Sequence, residues 1–287
     1  QPNLQKLFET KDPVFLSTSS AWGVMEGALR NLCQRKVLCC MCGAFSDKWL
    51  DVAKRAGKDA DPLQVEWGQH IDPDELKSRL STGEYDVVTL VHNETSCGMM
   101  KPLKEIMQVL KEFPDVISVI DTVSSFSVVS IPKDEWGIDI ILTGSQKALA
   151  MPPGLALFSV SERAFARAEQ VEGRGYYFDL LEFRSNHAKG MTPSTPVIPL
   201  IHALNFTLNK IFKEGVENRH NRHDELNQLV HQWVARNGFE LLPKKEFSSK
   251  SLTCVRNNLD LDVAGFVKAL REEKKISIDG GYGKIKG

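Results

Sequence analysis

The sequence predicts an α/β fold in which a mostly parallel sheet is sandwiched between helices, because short apolar runs alternate with longer segments of helical period. The 287 residues, 42% of them hydrophobic, are enough for one large domain or two modest ones with a substantial core. No repeat of fixed period appears along the chain. Since such sheets bind ligands beyond the carboxyl ends of their strands, the residues that follow each strand are the candidate site residues.

The alternation runs in regular order through the first 160 residues. Helical spacing of apolar residues predicts helices over 24–33, 45–56 and 103–113. Short apolar runs predict strands over 13–16, 37–41, 86–91, 116–120, 138–142 and 155–160. Beyond Ser161, a loop and the Pro-rich run 191–196 lead into two consecutive helices that Gly215 separates. These elements predict a large domain over residues 1–236.

Residues 237–287 are predicted to form part of a smaller C-terminal α/β domain. Strand-like runs at 252–255 and 276–278 stand on either side of an expected helix over 263–270. The chain begins with Gln1 rather than Met and ends shortly after a strand-like run. Both ends are therefore expected to be cut, with the N-terminal part of the large domain and the rest of the small domain missing.

Charge and cysteine content exclude several classes of function. The 36 Lys and Arg residues nearly cancel the 37 Asp and Glu residues, so a net charge of −1 gives no field that would recruit nucleic acid or an anionic membrane. No apolar run approaches the roughly 18 residues of a membrane-spanning helix. The six cysteines lack both a disulfide-framework pattern and the spacing of a zinc site, which predicts reduced thiols and no metal. A small molecule is the expected partner.

Two residues after neighbouring predicted strands carry the chemistry. Lys147 follows the strand over 138–142 and can act as an amine nucleophile that forms a Schiff base, although a lone lysine would more simply lie on the surface. Asp121 follows the strand over 116–120, where a lone carboxylate would more simply cap a turn or a helix. Facing each other, the two form the pair that pyridoxal phosphate requires: an amine for the aldehyde and an acid for the ring nitrogen.

A possible phosphate site lies in the loop between the first predicted strand and the first predicted helix. Ser17 to Gly23 bring hydroxyl groups and free backbone N–H groups to a helix N-terminus, which favours an anion. The same residue types are good helix caps, so this loop is a weak signal when taken alone.

Four runs of sequence resemble the class V, fold type I pyridoxal-phosphate aminotransferases, and most closely their serine/alanine–glyoxylate (serine–pyruvate) branch. The resemblance covers nearly the whole chain, and the runs are residues 91–98, 120–125, 134–139 and 142–149. It implies pyridoxal 5′-phosphate as the cofactor and amino transfer between serine or alanine and glyoxylate or pyruvate. It also implies a homodimer with shared active sites.

For the cofactor ring, the resemblance implies five contacts. Lys147 would form the Schiff base and move the substrate proton, and Asp121 would lie on the pyridine nitrogen. Phe45 matches the aromatic residue that stacks on the ring, and Val123 matches the apolar residue on the opposite face. Thr95 matches the hydroxyl residue near the phenolic oxygen of the ring.

For the cofactor phosphate, the resemblance implies contacts from both subunits of the dimer. Ser20, Ala21 and Trp22 occupy the phosphate-loop positions, and Gln146 lies beside the phosphate. Thr195 would reach the phosphate in the neighbouring subunit. The family's arginine for the substrate carboxylate would lie a few residues beyond Gly287 and has no counterpart here.

Two alternative functions stay open. The first is a lyase of the same fold, such as a cysteine desulfurase; those enzymes have histidine beside the ring, whereas this chain has Phe45. The second is a degenerate relative that serves as a binding subunit, which the absent arginine suggests. The expected location is the cytoplasm, or the peroxisome if the protein is eukaryotic.

Overall fold

A seven-stranded sheet organises the computed structural model, which describes residues 1–286. The strands in chain order are β1 (Val14–Ser17), β2 (Val37–Met41), β3 (Ala60–Gln64), β4 (Val87–Val91), β5 (Asn93–Glu94), β6 (Met99–Met100), β7 (Ile117–Asp121), β8 (Ile140–Gly144), β9 (Ala156–Val160), β10 (Glu240–Leu241) and β11 (Val255–Arg256). The large sheet has the order β1-β9-β8-β7-β4-β2-β3. All its strands run in one direction except β9, so the predicted mostly parallel sheet is confirmed.

Eleven α-helices lie within residues 1–286. They are α1 (Pro2–Leu7), α2 (Ala21–Leu32), α3 (Ala44–Arg55), α4 (Pro73–Leu80), α5 (Leu103–Leu110), α6 (Lys133–Trp136), α7 (Glu162–Glu169), α8 (Leu180–Ala188), α9 (Ile198–Glu214), α10 (Val216–Arg236) and α11 (Val263–Ala269). Gly215 separates α9 from α10, as the sequence predicts. Its φ of 89° lies in the left-handed region, which favours glycine and breaks the helix there.

The helices cover both faces of the sheet. Along β2, Leu38 and Cys40 point into one core cluster with α4, α5 and α9. Val37, Cys39 and Met41 point into the other cluster with α2, α3 and α7. Because side chains of a strand alternate between its faces, a strand buried on both sides must be apolar throughout, which explains the continuous apolar run. The cysteines are free, and Cys254 alone is partly exposed.

The C-terminal residues form a smaller arrangement beside the large sheet. β10 and β11 pair in an antiparallel manner, and Leu242 and Phe247 pack against the buried pair Cys42 and Cys97. The strand expected over 252–255 is displaced to Val255–Arg256. The strand-like run 276–278 lies outside all helices and strands that the structure describes, and its isoleucines are 51% and 42% exposed. The prediction of a strand there is wrong, because in residues 1–286 the run has no neighbouring strand to pair with.

The sheet brings six strand ends to one edge. The carboxyl ends of β1, β8, β7, β4, β2 and β3 lie there, because these strands share one direction. Apart from Thr195, the predicted site residues lie at or just after the carboxyl ends of five of these strands. These strands are β1, β2, β4, β7 and β8. Within the part of the chain that the structure describes, no helix is both long enough and apolar enough to cross a membrane.

Candidate active site

Asp121 lies at the middle of this edge as the last residue of β7. It pairs with Val91 of β4 on one side and with Leu142 of β8 on the other. The residue is only 4% exposed. Its Oδ1 accepts a hydrogen bond of 2.8 Å from the N–H group of Val123, and no other donor within residues 1–286 reaches the carboxylate. One oxygen is therefore available to a cationic ligand group.

The electrostatic surroundings of Asp121 oppose its ionisation. Burial raises the pKa of this carboxyl to about 7, although the hydrogen bond from Val123 N–H lowers it. The Glu94 carboxylate raises it further, while the ammonium groups of Lys101 and Lys147 lower it. A positive charge placed beside Asp121 would favour the ionised form, as a protonated pyridine nitrogen would.

Lys147 lies in the loop after β8, with an exposed side chain. Its ammonium group makes no hydrogen bond or ion pair with residues 1–286. The loop itself is fixed by hydrogen bonds before and after Lys147. The Ser145 hydroxyl donates to Pro152 O at 2.7 Å, and the Arg219 guanidinium donates to Ala148 O. The loop thus presents a free amine near Asp121, whose pKa the Lys147 charge lowers.

The loop after β1 leads to a helix N-terminus without a side-chain cap. Ser17 and Gly144 pair with the same residue, Ala156, from its two sides, which places the starts of the β1 and β8 loops about 10 Å apart. Ser20 is the N-cap of α2, yet its hydroxyl accepts no hydrogen bond from the helix. In the described chain, the N–H groups of Ala21 and Trp22 have no acceptor, so this end of α2 can bind a phosphate.

Trp22 lies in the first turn of α2, and Gln146 lies in the loop that follows β8. Trp22 is half-buried, and its ring centroid lies 6.3 Å from that of Trp49 on α3. Gln146 is exposed, and its Oε1 lies 2.7 Å from the position that a Cβ atom on Gly144 would take. The absence of a side chain on Gly144 therefore leaves room for Gln146 at the edge of the sheet.

The residues expected around the ring line the same edge. The Thr95 hydroxyl lies 2.5 Å from the Ser124 hydroxyl, which joins the loop after β4 to the loop after β7. Val123 is half-buried beside Asp121. Phe45, in the first turn of α3, stacks against Tyr282 with a centroid distance of 5.3 Å and an interplanar angle of 28°.

Thr195 lies apart from this group on the surface. It is exposed, and its carbonyl oxygen accepts a hydrogen bond of 3.3 Å from the Thr18 hydroxyl of the same chain. It also lines an open cavity of about 640 Å³ whose walls include Phe15, Met191 and Ile198. Its predicted contact with a phosphate in a second subunit stays a prediction.

Several buried polar residues behind the edge were not predicted. The Glu94 carboxylate accepts hydrogen bonds from the first turn of α3, and the Lys101 ammonium donates to Val91 O at 2.7 Å. His92 Nδ1 lies 2.9 Å from the Ser125 hydroxyl, and burial lowers the pKa of His92 to about 3. The sequence did contain one indication of these residues: three polar residues, His92 to Glu94, follow directly after the apolar strand β4.

The residues of this edge fit pyridoxal phosphate on the chemistry of their groups. A free amine suits the aldehyde, a buried carboxylate with one unpaired oxygen suits the pyridine nitrogen, and an uncapped helix N-terminus suits the phosphate. Among residues 1–286, no cluster of three or more histidine, cysteine or acidic residues could hold a metal ion.

Comparisons with known proteins identify the family of this chain. The aminotransferase class-V family model matches residues 23–283. An uncharacterised aminotransferase of Methanocaldococcus jannaschii is 36% identical over 291 residues, covering 99% of this chain and 75% of that protein. A serine–glyoxylate aminotransferase of Methylorubrum extorquens is 32% identical over 297 residues, covering 99% and 74%. The crystal structure of an alanine–glyoxylate aminotransferase from Nostoc sp. is 28% identical with a TM-score of 0.93, covering all of this chain and 78% of that one.

Proposed function

Because the chain belongs to the class V aminotransferase family, we propose that it binds pyridoxal 5′-phosphate and transfers an amino group between a small amino acid and a small 2-oxo acid. The observation that carries the proposal is that Asp121 ends β7 and Lys147 follows the neighbouring strand β8 at the same edge of the sheet. Asp121 is a buried acid, and Lys147 is an exposed base. Few other reactions require this pair next to an uncapped helix N-terminus.

Each residue of the edge then has a role. Bound pyridoxal phosphate supplies an electron-withdrawing ring that stabilises negative charge on the amino acid's Cα. Lys147 would hold the aldehyde carbon through its amine until the amino group of the substrate displaces it, and the freed amine would then accept the proton that leaves Cα. Asp121 holds the proton on the ring nitrogen, because its ionised form is stabilised by that positive charge.

The remaining contacts orient and enclose the ring. Phe45 and Val123 pack against its two faces, and Thr95 hydrogen-bonds near its phenolic oxygen. The phosphate binds at Ser20, Ala21, Trp22 and Gln146. The substrates are serine or alanine as donor and glyoxylate or pyruvate as acceptor, a choice that the serine–glyoxylate and alanine–glyoxylate aminotransferases among the relatives support.

The proposed active enzyme is a homodimer in which Thr195 reaches the phosphate of the neighbouring subunit. The exposure of Thr195 supports this role, because an exposed hydroxyl is accessible to a second subunit. We also propose that residues 1–236 form the cofactor-binding domain and residues 237–287 part of a smaller domain. The end of α10 at Arg236 and the separate β10–β11 pair support that division.

The test is covalent labelling followed by product analysis. The chain is incubated with pyridoxal phosphate, reduced with borohydride and mapped by mass spectrometry, with Lys147→Arg and the exposed Lys104→Arg as matched variants. The proposal expects the label on Lys147, unchanged in Lys104→Arg and lost in Lys147→Arg. Labelling at other lysines only would contradict the site.

The type of reaction is tested separately. Serine and alanine are each supplied with and without glyoxylate or pyruvate, and the new amino acid is measured. Product that depends on the 2-oxo acid supports amino transfer. Release of pyruvate from serine without an acceptor, or of sulfide when cysteine is supplied instead, would indicate a lyase. Label without turnover would indicate a binding subunit.

A further inference from the structure

The first turn of α3 receives its hydrogen-bond acceptors from another part of the chain. Glu94, in the strand β5 that follows β4, accepts the N–H of Phe45 on Oε1 at 3.2 Å and the N–H of Ser46 on Oε2 at 2.8 Å. The Ser96 hydroxyl donates to the same Oε1 at 2.6 Å. One carboxylate therefore satisfies two of the N–H groups that a helix N-terminus leaves free.

The other free groups of this turn are also satisfied. Ala44 N–H donates to the Ser96 hydroxyl at 2.9 Å, and Gly43 N–H donates to the Ser46 hydroxyl at 3.1 Å. A Cβ atom on Gly43 would lie 2.3 Å from Glu94 Cγ, so only glycine allows the carboxylate to approach this closely. The α3 N-terminus and the loop that follows β4 are thus fixed to each other.

The charge of Glu94 is compensated rather than exposed. The residue is 0% exposed and lies at the positive end of the α3 dipole. Lys101, also buried, lies nearby: burial lowers its pKa, but the neighbouring Cys42 and Glu94 raise it above its ordinary value. A buried carboxylate with this many partners holds one geometry, because moving it would leave several groups without hydrogen bonds.

We propose that Glu94 is a positioning residue for cofactor binding, which holds Phe45 in place as a ring-contacting residue. This inference rests on the proposed function. Phe45 is bound to Glu94 through its own N–H, and the next residue of the helix, Ser46, is bound in the same way. Displacing the carboxylate would release the first turn of α3 together with the aromatic ring that it carries.

A second buried carboxylate provides the matched control. Asp86 is 1% exposed and accepts backbone N–H groups from Gln34 at 2.8 Å, Arg35 at 3.0 Å and Lys36 at 3.2 Å. It precedes β4, at the opposite edge of the sheet from the candidate active site. Loss of its charge should reduce stability without moving any ring-contacting residue.

The experiment is a double-mutant cycle on pyridoxal-phosphate affinity, measured by fluorescence titration of the full chain. E94Q places an amide NH₂ against one of the two helix N–H groups and is expected to weaken binding about 10-fold, the effect of one charged hydrogen bond. In the background of Phe45→Ala, the same change should weaken binding no more than about 2-fold, since the residue on which it acts is gone. D86N should lower the denaturation midpoint and leave affinity within about 2-fold of the wild type.

Additive effects of E94Q and Phe45→Ala would overturn the inference, and so would an equal loss of affinity in D86N. If E94Q does not fold, Ser96→Ala replaces it, with about a 3-fold loss expected that disappears in the Phe45→Ala background. A wild-type chain that binds no pyridoxal phosphate would overturn the proposed function as well, whereas wild-type binding with additive penalties would overturn this inference alone.

Discussion

At the scale of single residues, Asp121 is needed in its ionised form for the proposed function, but burial of that form destabilises the fold. A carboxyl whose pKa is raised to about 7 by burial must lose its proton inside the fold at neutral pH, which costs free energy. The native carboxyl holds its proton up to about pH 7, whereas the unfolded chain releases it near pH 4. Protons are therefore bound more tightly by the native state, and its stability falls as the pH rises between these values.

This linkage gives a prediction for Asp121→Asn in the cofactor-free protein. Wild-type stability should fall from pH 5 to pH 8 by about 3 kcal/mol more than that of the variant, because about two pH units of the shifted titration lie between pH 5 and the raised pKa. Denaturant unfolding at the two pH values measures it, with the exposed Asp115→Asn as the control. Identical pH dependence in wild type and Asp121→Asn would contradict the raised pKa.

Gly43→Ala is the second prediction at this scale. The backbone there is extended, with φ at 178°, so any effect comes from the Cβ atom, which would lie 2.3 Å from Glu94 Cγ and 2.6 Å from Ser96 Oγ. Overpacking of this kind costs about 1–3 kcal/mol. Gly280→Ala, whose Cβ would meet Val263 at an ordinary 3.4 Å, should be nearly neutral in the same denaturation experiment.

At the scale of elements, the sequence predicted six of the seven strands of the large sheet and missed β3, which is not apolar on both faces. β2 has the predicted bounds because all five of its residues are buried. β3 was not predicted: it is an edge strand in which only Ala60 and Leu63 are buried, and Pro62 disturbs the pattern. The sequence also identified Asp121 and Lys147 as candidate site residues, because they follow recognisable strands. It did not identify Glu94, because the partners of Glu94 lie on a helix that is far away in the sequence.

Helix α10 gives the prediction that belongs to this scale. Arg219 donates from α10 to Ala148 O, beside Lys147, and its Nε donates to Ser127 O at 3.1 Å and the Ser127 hydroxyl at 2.9 Å. Arg219→Gln should therefore cost about 2–3 kcal/mol of stability, because it removes several charged hydrogen bonds made by a guanidinium whose side chain is only 11% exposed. It should also speed hydrogen exchange over residues 145–151.

The neighbouring arginine is the control for that change. Arg222 pairs with Glu214 on the surface, and surface pairs contribute at most about 1 kcal/mol. Arg222→Gln should leave both the denaturation midpoint and the exchange of residues 145–151 nearly unchanged. If the two variants behave alike, Arg219 does not anchor the Lys147 loop.

At the scale of the whole molecule, exposed apolar surface surrounds the segment that carries Thr195. Met191 is 57% exposed and Ile198 is 51% exposed, and both line the cavity that contains Thr195. Contiguous apolar surface of this kind is typical of protein–protein interfaces. The proposed homodimer would cover it and would bring each Thr195 towards a neighbouring phosphate site, so subunit association and cofactor binding should be coupled.

The final prediction tests that coupling with Ile198→Glu. A charge buried in the interface should raise the dimer dissociation constant at least 10-fold in sedimentation experiments, because the carboxylate would lose its hydration. Pyridoxal phosphate should then bind more weakly and gain affinity as protein concentration rises, since the dimer completes the site. Leu229→Glu, at a position on α10 that is 61% exposed and away from the cavity, should change neither. An Ile198→Glu monomer that binds the cofactor as tightly as wild type would show that each subunit holds a complete phosphate site, and Thr195 would then have no role across the interface.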